Sequence, residues 1–413
     1  MGRAILQLIE HHISELAKIG FDSSSGGFNR IAYTKEETLA HQYIEEAAAS
    51  MGFASHRDFA ANLYVFPHDM CDKDIVLIGS HLDTVPNGGN YDGVAGVVAG
   101  LEAMRVLVAD SYDDIALAVW RGEESSRFGM AYLGSSLALG IYGNEQVAVK
   151  DKDRISLSDA VAACVHNPDA RIMHQALNQE MISCYLEAHI EQARSLESKG
   201  IPIGIVTGIR APVRYMVEVV GRYDHSGATP MGLRIDANRV AANILAQAYR
   251  FADKLVGDDR DIVFTSGIIH SDSGSESINK VSGYCKFSVD IRSNEICERD
   301  FFEDKLLEII RTEGEKTGAE INARLLSRSD PIPSLDHSLH QGIERACNEL
   351  GVSCHYMPSG AGHDAAVLAK AGIPTGLIFI PCLNGRSHCP EEYASPEHVA
   401  IAADVLAQTI RNI

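Results

Sequence analysis

From residue 75 onward, apolar runs of strand length alternate with runs of helix length, and polar side chains of one chemical kind stand where the strands end. The run "DIVLIGSH" (74–81) leads into a glycine-rich turn and the helical stretch "GVVAGLEAMRVLVAD" (96–110). "DIALAVWRGEE" (114–124) then reads as a second strand, with a helix expected from about Met130. Such alternation predicts a parallel sheet covered by helices.

The rhythm changes near Pro212. "VRYMVEVVG" (213–221) alternates as a strand with one exposed face, and "RIDANRVAANILAQAYRFADKL" (234–255) has helical spacing. "IVFTSGIIHSD" (262–272) and "GYCKFSVDIRS" (283–293) read as strands, followed by a helix over 298–318 and a last strand, "AEINARLLSRSD" (319–330). The order β-α-β-β-α-β is that of a ferredoxin-like unit. After the proline-rich "DPIPS" the chain returns to a helix (339–351) and an apolar strand, "PTGLIFIPC" (374–382). The expected fold is therefore α/β. A mixed-sheet domain is built from residues 1–211 and 329–413, and an α+β ferredoxin-like domain (212–328) is inserted into it.

The strand ends carry the chemistry. In "SHLDTVPNGGNYDG" (80–93), His81 and Asp83 are two apart and share a strand face, while Gly88, Gly89 and Gly93 let the turn fold tightly enough to bring Asp92 beside them. One member of such a pair can ligate a metal while the other fixes the imidazole tautomer. The same pattern alone also describes an ordinary hydrogen-bonded pair. Three further strand ends add Glu123 and Glu124 in "RGEESS", His189 in "EAHIEQ" and His388 in "GRSHCP". Histidines are plentiful in this chain, 17 in all, so single ones mean little. A His, Asp, Glu, His, His set gathered at strand ends, with one carboxylate able to bridge, is nevertheless the ligand list of a two-metal hydrolytic site.

Composition narrows the alternatives. A net charge of −20, from 36 basic and 56 acidic residues, opposes binding to a phosphate backbone, so no nucleic-acid partner is expected. No long uncharged apolar run suggests a membrane span, and the N-terminal stretch reads as an amphipathic helix. Nine cysteines, including Cys71, Cys164, Cys184, Cys354, Cys382 and Cys389, lack C-x-x-C spacing and read as reduced thiols. A cytoplasmic protein is expected.

The segments "GSHLDTVPNGGNYDG", "EESSRFG", "HIEQ", "HSGATPMGLRIDA", "VDIR", "SGAGHDA" and "NGRSH-P" together resemble the hydantoinase/carbamoylase branch of the M20 metallopeptidase-like amidohydrolases. The resemblance runs in order along nearly the whole chain. It implies His81, Asp92, Glu124, His189 and His388 as ligands of two divalent ions (zinc, manganese, cobalt or nickel), with Asp92 bridging. Glu123 becomes the general base, and Asp83 the acid that orients a ligating histidine. The inserted domain becomes a lid through which a homodimer forms. His225 would reach the site from the partner subunit, stabilising the oxyanion together with Asn279, and Arg292 would grip a substrate carboxylate. Gln192 and Gly360 would line the ureido pocket, whereas His363 and Asp364 read as structural. The implied reaction is hydrolysis of the ureido C–N bond of a small N-carbamoyl amino acid. An allantoate amidohydrolase, or an N-acyl amino acid or dipeptide hydrolase, is the alternative. Asp224, Ala193 and Cys389 depart from the branch's usual residues and bear on substrate rather than on the ligand set.

Overall fold

Strands buried on both faces need apolar side chains at every position, and three segments meet that demand: β3 (Ile75–His81), β4 (Ile115–Trp120) and β15 (Thr375–Ile380) are buried almost throughout. The computed structural model describes residues 3–68, 74–165, 178–271, 274 and 277–413, so Cys71 and Asp272 lie outside the described residues. The remaining strands are β1 (Ala54–Arg57), β2 (Leu63–Phe66), β5 (Ile182–Ile190), β6 (Ile203–Ile209), β7 (Ala211–Val220), β8 (Asp224–His225), β9 (Val263–Thr265), β10 (Ile269–Ser271), β11 (Lys280–Val281), β12 (Tyr284–Ser293), β13 (Glu320–Arg328) and β14 (Cys354–Ser359).

The chain divides into two compact units, Met1–Thr207 with Leu335–Ile413, and Gly208–Ser334. The first holds a sheet in the order β1-β2-β4-β3-β5-β15-β6-β14. β4, β3, β5 and β15 run parallel, whereas β1, β2 and β6 pair antiparallel. The fold class is thus α/β with a mixed sheet. Helices Val94–Ala109, Pro396–Asn412, His337–Leu350 and Leu6–Leu16 supply apolar faces to its core. Because the four central strands are parallel, their C-terminal ends lie at one edge, where open α/β sheets place their sites.

The helix expected from Met130 starts at Leu133 instead. Tyr132, in the left-handed region at φ 57°, turns the chain so that the N–H groups of residues 132, 133 and 134 donate to the carbonyls of Glu123, Gly122 and Arg121. Those amides tie the start of the helix to the segment after β4.

The second unit has the strand order β10-β12-β7-β13, with β9 also on β12, all antiparallel. β7 and β12 alternate strictly between buried and more exposed side chains. Their inner face packs on helices Ala237–Gly257 and Ile296–Thr317 through Val217, Phe287, Ile244 and Phe302. The continuous strand expected over 262–272 is interrupted. Thr265 lies opposite Asp290 and Ile269 opposite Phe287, so residues 266–268 face only Ser288 and Val289. This is a bulge, closed by Ile268 N–H donating to the Ser288 hydroxyl at 3.0 Å. Among the described residues no helix is long and apolar enough to cross a membrane.

Ile78 is fully buried in β3 at the centre of the first unit's core. Its replacement by Ala should cost about 2–5 kcal/mol, read as a lowered urea midpoint at unchanged m-value.

Candidate metal centre and active site

His81 ends β3, His189 lies next to the end of β5, Glu123 and Glu124 follow β4, and His388 follows β15. Asp92 comes from the glycine turn, where Gly93 (φ 67°) starts the helix Val94–Ala109 directly against His81. A Cβ at residue 93 would sit 2.5 Å from the His81 carbonyl oxygen and 2.6 Å from its ring, so only glycine fits.

The two oxygens of Asp92 face different partners. Oδ1 is 3.3 Å from His81 Nε2 and 3.0 Å from His189 Nε2. Oδ2 is 3.3 Å from His388 Nε2, which lies 3.1 Å from Glu124 Oε1. Two potential ion-binding groups result, His81–Asp92–His189 and Asp92–Glu124–His388, with Asp92 common to both.

The tautomers suit a cation. His81 Nδ1 faces only acceptors, the Asp83 carbonyl at 3.2 Å and Asp83 Oδ1 at 3.3 Å, so it must donate. His189 Nδ1 donates to the Ile190 carbonyl at 2.9 Å. Both Nε2 atoms then face inward, 3.3 Å apart and toward Asp92, as the ring atoms left for a metal ion. The residues present therefore fit divalent ions.

Asp83 has a wider part than orienting one ring. Oδ1 accepts the Glu123 N–H and Oδ2 the Glu124 N–H, each at 3.0 Å, so one carboxylate fixes His81 and the adjacent acids. Glu123 Oε2 stands 4.0 Å from His81 Nε2. Burial pushes the Glu123 carboxyl well above the usual range; His81 opposes this, while Glu124, Asp364 and Asp83 add to it. Gln192, at φ 57°, donates from Nε2 to Asp92 Oδ2 at 2.7 Å, and its Oε1 is buried without a hydrogen-bond partner. Gly360 lies in the loop after β14.

Several supporting groups carry no sequence signal of their own. Buried Glu37 accepts from Arg121 Nη1 at 2.8 Å and from the Gly122 N–H at 3.0 Å, anchoring the approach to Glu123. Buried Arg30 donates to the Leu82 carbonyl and to Asn90, bracing the glycine turn. Behind His189, the His363 ring is 4.4 Å away between centroids. Burial, then Glu187, pushes the Asp364 carboxyl up to about 8.

The other expected residues belong to the second unit. His225 is exposed on the β8–β11 ribbon, and its Nδ1 accepts the Gly227 and Ala228 N–H groups at 3.1 Å, leaving Nε2 as the donor of the neutral ring. Asn279 is its neighbour, its carbonyl accepting the Ser226 N–H at 3.0 Å. Arg292, on β12, forms a fork on Asp290 with two contacts of 3.0 Å, and Arg214 reaches the same carboxylate.

Residues 77–412 match the family model described as peptidase family M20/M25/M40. The chain belongs to this family. Over 96% of both chains it is 33% identical to an N-carbamoyl-L-amino acid amidohydrolase of Geobacillus stearothermophilus. It is 31% identical to a ureidoglycolate hydrolase of Arabidopsis thaliana, over 98% of this chain and 86% of that one. A solved amidase of the hydantoinase/carbamoylase family from Burkholderia multivorans superposes with a TM-score of 0.91 at 27% identity, over 99% of this chain and 97% of the other. This M20 protein is accordingly an amidohydrolase, a hydrolase of carbon–nitrogen bonds other than peptide bonds.

Hydrogen bonds that its ring donates to Asp92 and Glu124 raise His388 to about 11, against an ordinary value near 6.5. The metal-free ring thus keeps its proton at neutral pH, yet only the neutral ring ligates. Loading manganese at pH 7 should therefore release at least one proton per chain, and affinity should rise from pH 6 to 8. Calorimetry in buffers of different ionisation enthalpy measures this; heats independent of buffer would contradict it.

Proposed function

We propose that this M20 amidohydrolase cleaves the ureido C–N bond of a small N-carbamoyl amino acid, using two divalent ions held by His81, Asp92, Glu124, His189 and His388. The observation that carries this reading is the Asp92-centred cluster with Glu123 beside it, buried and raised in pKa. Bound there, such ions would acidify a water and polarise the carbonyl. Glu123 takes the proton from that water and delivers it to the departing nitrogen, a role suited to a buried carboxyl whose pKa is raised. Attack at the ureido carbonyl breaks one C–N bond, and the carbamate formed decomposes, so ammonia, carbon dioxide and the amino acid leave. The unpartnered Gln192 Oε1 can accept an N–H of the substrate, which ureido and amide substrates both carry.

In this reading the second unit acts as lid and dimerisation domain. Asp290 sets two guanidiniums side by side, and Arg292 is the residue that grips a substrate carboxylate. His225 Nε2 and Asn279 donate to the oxyanion. The exposed His225 is supplied to the site of the other subunit in a homodimer.

Metal-reloaded protein should release ammonia from one of N-carbamoyl-L-amino acids, N-carbamoyl-β-alanine, allantoate or ureidoglycolate. Glu123→Gln should lower kcat about 10²–10⁴-fold with metal content unchanged. Cleavage of N-acetyl amino acids or dipeptides, with no ammonia from any ureido compound, would refute the substrate class. Mixing inactive Glu123→Gln and His225→Ala proteins should restore activity that neither has alone, because one site of the mixed dimer keeps both residues. Absence of complementation under conditions where subunits exchange would refute the shared site.

A further inference from the structure

Glu392 is an acid at 4% exposure, and its carboxylate is held by hydrogen-bond donors. Four donors surround it. Oε1 accepts the Tyr91 and Asp92 N–H groups, both at 2.9 Å. Oε2 accepts the His388 N–H at 3.2 Å and the Ser387 hydroxyl at 3.0 Å. That hydroxyl also lies 3.0 Å from Asp92 Oδ2. One side chain therefore gathers the backbone of two ligand loops that are some 300 positions apart in sequence.

Two features show that the surroundings are built for this carboxylate. A Cβ on Gly89 would fall 2.2 Å from Glu392 Oε1 and 2.3 Å from its Cβ and Cδ, so a side chain there would expel it. His388 sits at φ 59°, a conformation that non-glycine residues adopt rarely, and its amide is one of the four donors. A carboxylate can accept from all four donors, whereas a carboxamide would turn its own N–H groups toward one pair of them.

The geometry points to Glu392 as a positioning residue that sets the spacing of the ion site by holding the shared ligand Asp92 and the ligand His388 to one carboxylate. This rests on the metal reading above. Glu392 touches neither ions nor substrate in this role. It acts through the backbone on which those ligands ride.

The test is Mn²⁺ affinity, measured by competition with a fluorescent chelator on metal-stripped full-length protein. Glu392→Ala should weaken Mn²⁺ binding about 10–100-fold, the range for partners of ligating groups, and Glu392→Gln should fall between it and the unaltered protein. Leu339→Ala, a buried-core change on the helix His337–Leu350, should lower the thermal midpoint while leaving Mn²⁺ affinity intact. Unaltered affinity in the Glu392 variants would overturn the proposal, as would an equal loss in Leu339→Ala, since the effect would then be one of general stability. If Glu392→Ala does not fold, Glu392→Gln decides by the same criterion. Unaltered protein that binds no Mn²⁺ would remove the metal reading itself, an outcome distinct from the others.

Discussion

The structure of the first unit depends on keeping one carboxylate, that of Asp92, charged inside protein. Burial raises the pKa of such a group, but His189, with His388 and His81 hydrogen-bonded to it, holds Asp92 well below the usual range. Gathering these imidazoles requires parallel strands that end together, a turn that returns at once to the first of them, and a helix that begins without a side chain in the way. β3, β5 and β15, the glycine turn and Gly93 meet those requirements in turn. Breaking such a constellation leaves an uncompensated buried charge, the costly direction for a buried ionic group.

Around that centre the acids work mainly as acceptors for backbone amides. Asp83 fixes the amides of Glu123 and Glu124, Glu37 that of Gly122, and Glu187 that of Ala365. A loop held by its own N–H groups cannot drift without leaving a buried charge unsatisfied, which ties the placement of each reactive group to the stability of the sheet. This is how segments with no regular secondary structure are held in fixed geometry.

How much of this was legible in the sequence depends on whether a residue's position has a period. His81 and Asp83 were legible because residues two apart share a strand face, and the apolar run before them left little choice of strand. The alternation in β7 and β12 exposed the second unit in the same way. The bulge between Val263 and Ser271 was hidden because one extra residue changes no composition, only register. Glu37, Arg30 and Glu392 were hidden for a different reason. Each stands in a stretch without a period, Glu37 and Glu392 directly after another glutamate, and its meaning comes from amides or carbonyls far away in sequence. The pairing of Arg292 with Asp290 could have been read, since "VDIR" places the two on one face of the strand.

The two units also differ in when they can form. Residues 208–334 are contiguous, so that unit has all its strands once its own segment has been synthesised. The cluster centred on Asp92 needs His81 and also His388, with the whole second unit encoded between them. Its assembly waits for the last part of the chain, because β15, which stands between β5 and β6 in the first sheet, is also encoded after the second unit. The unit that the chain begins is therefore the one it finishes last.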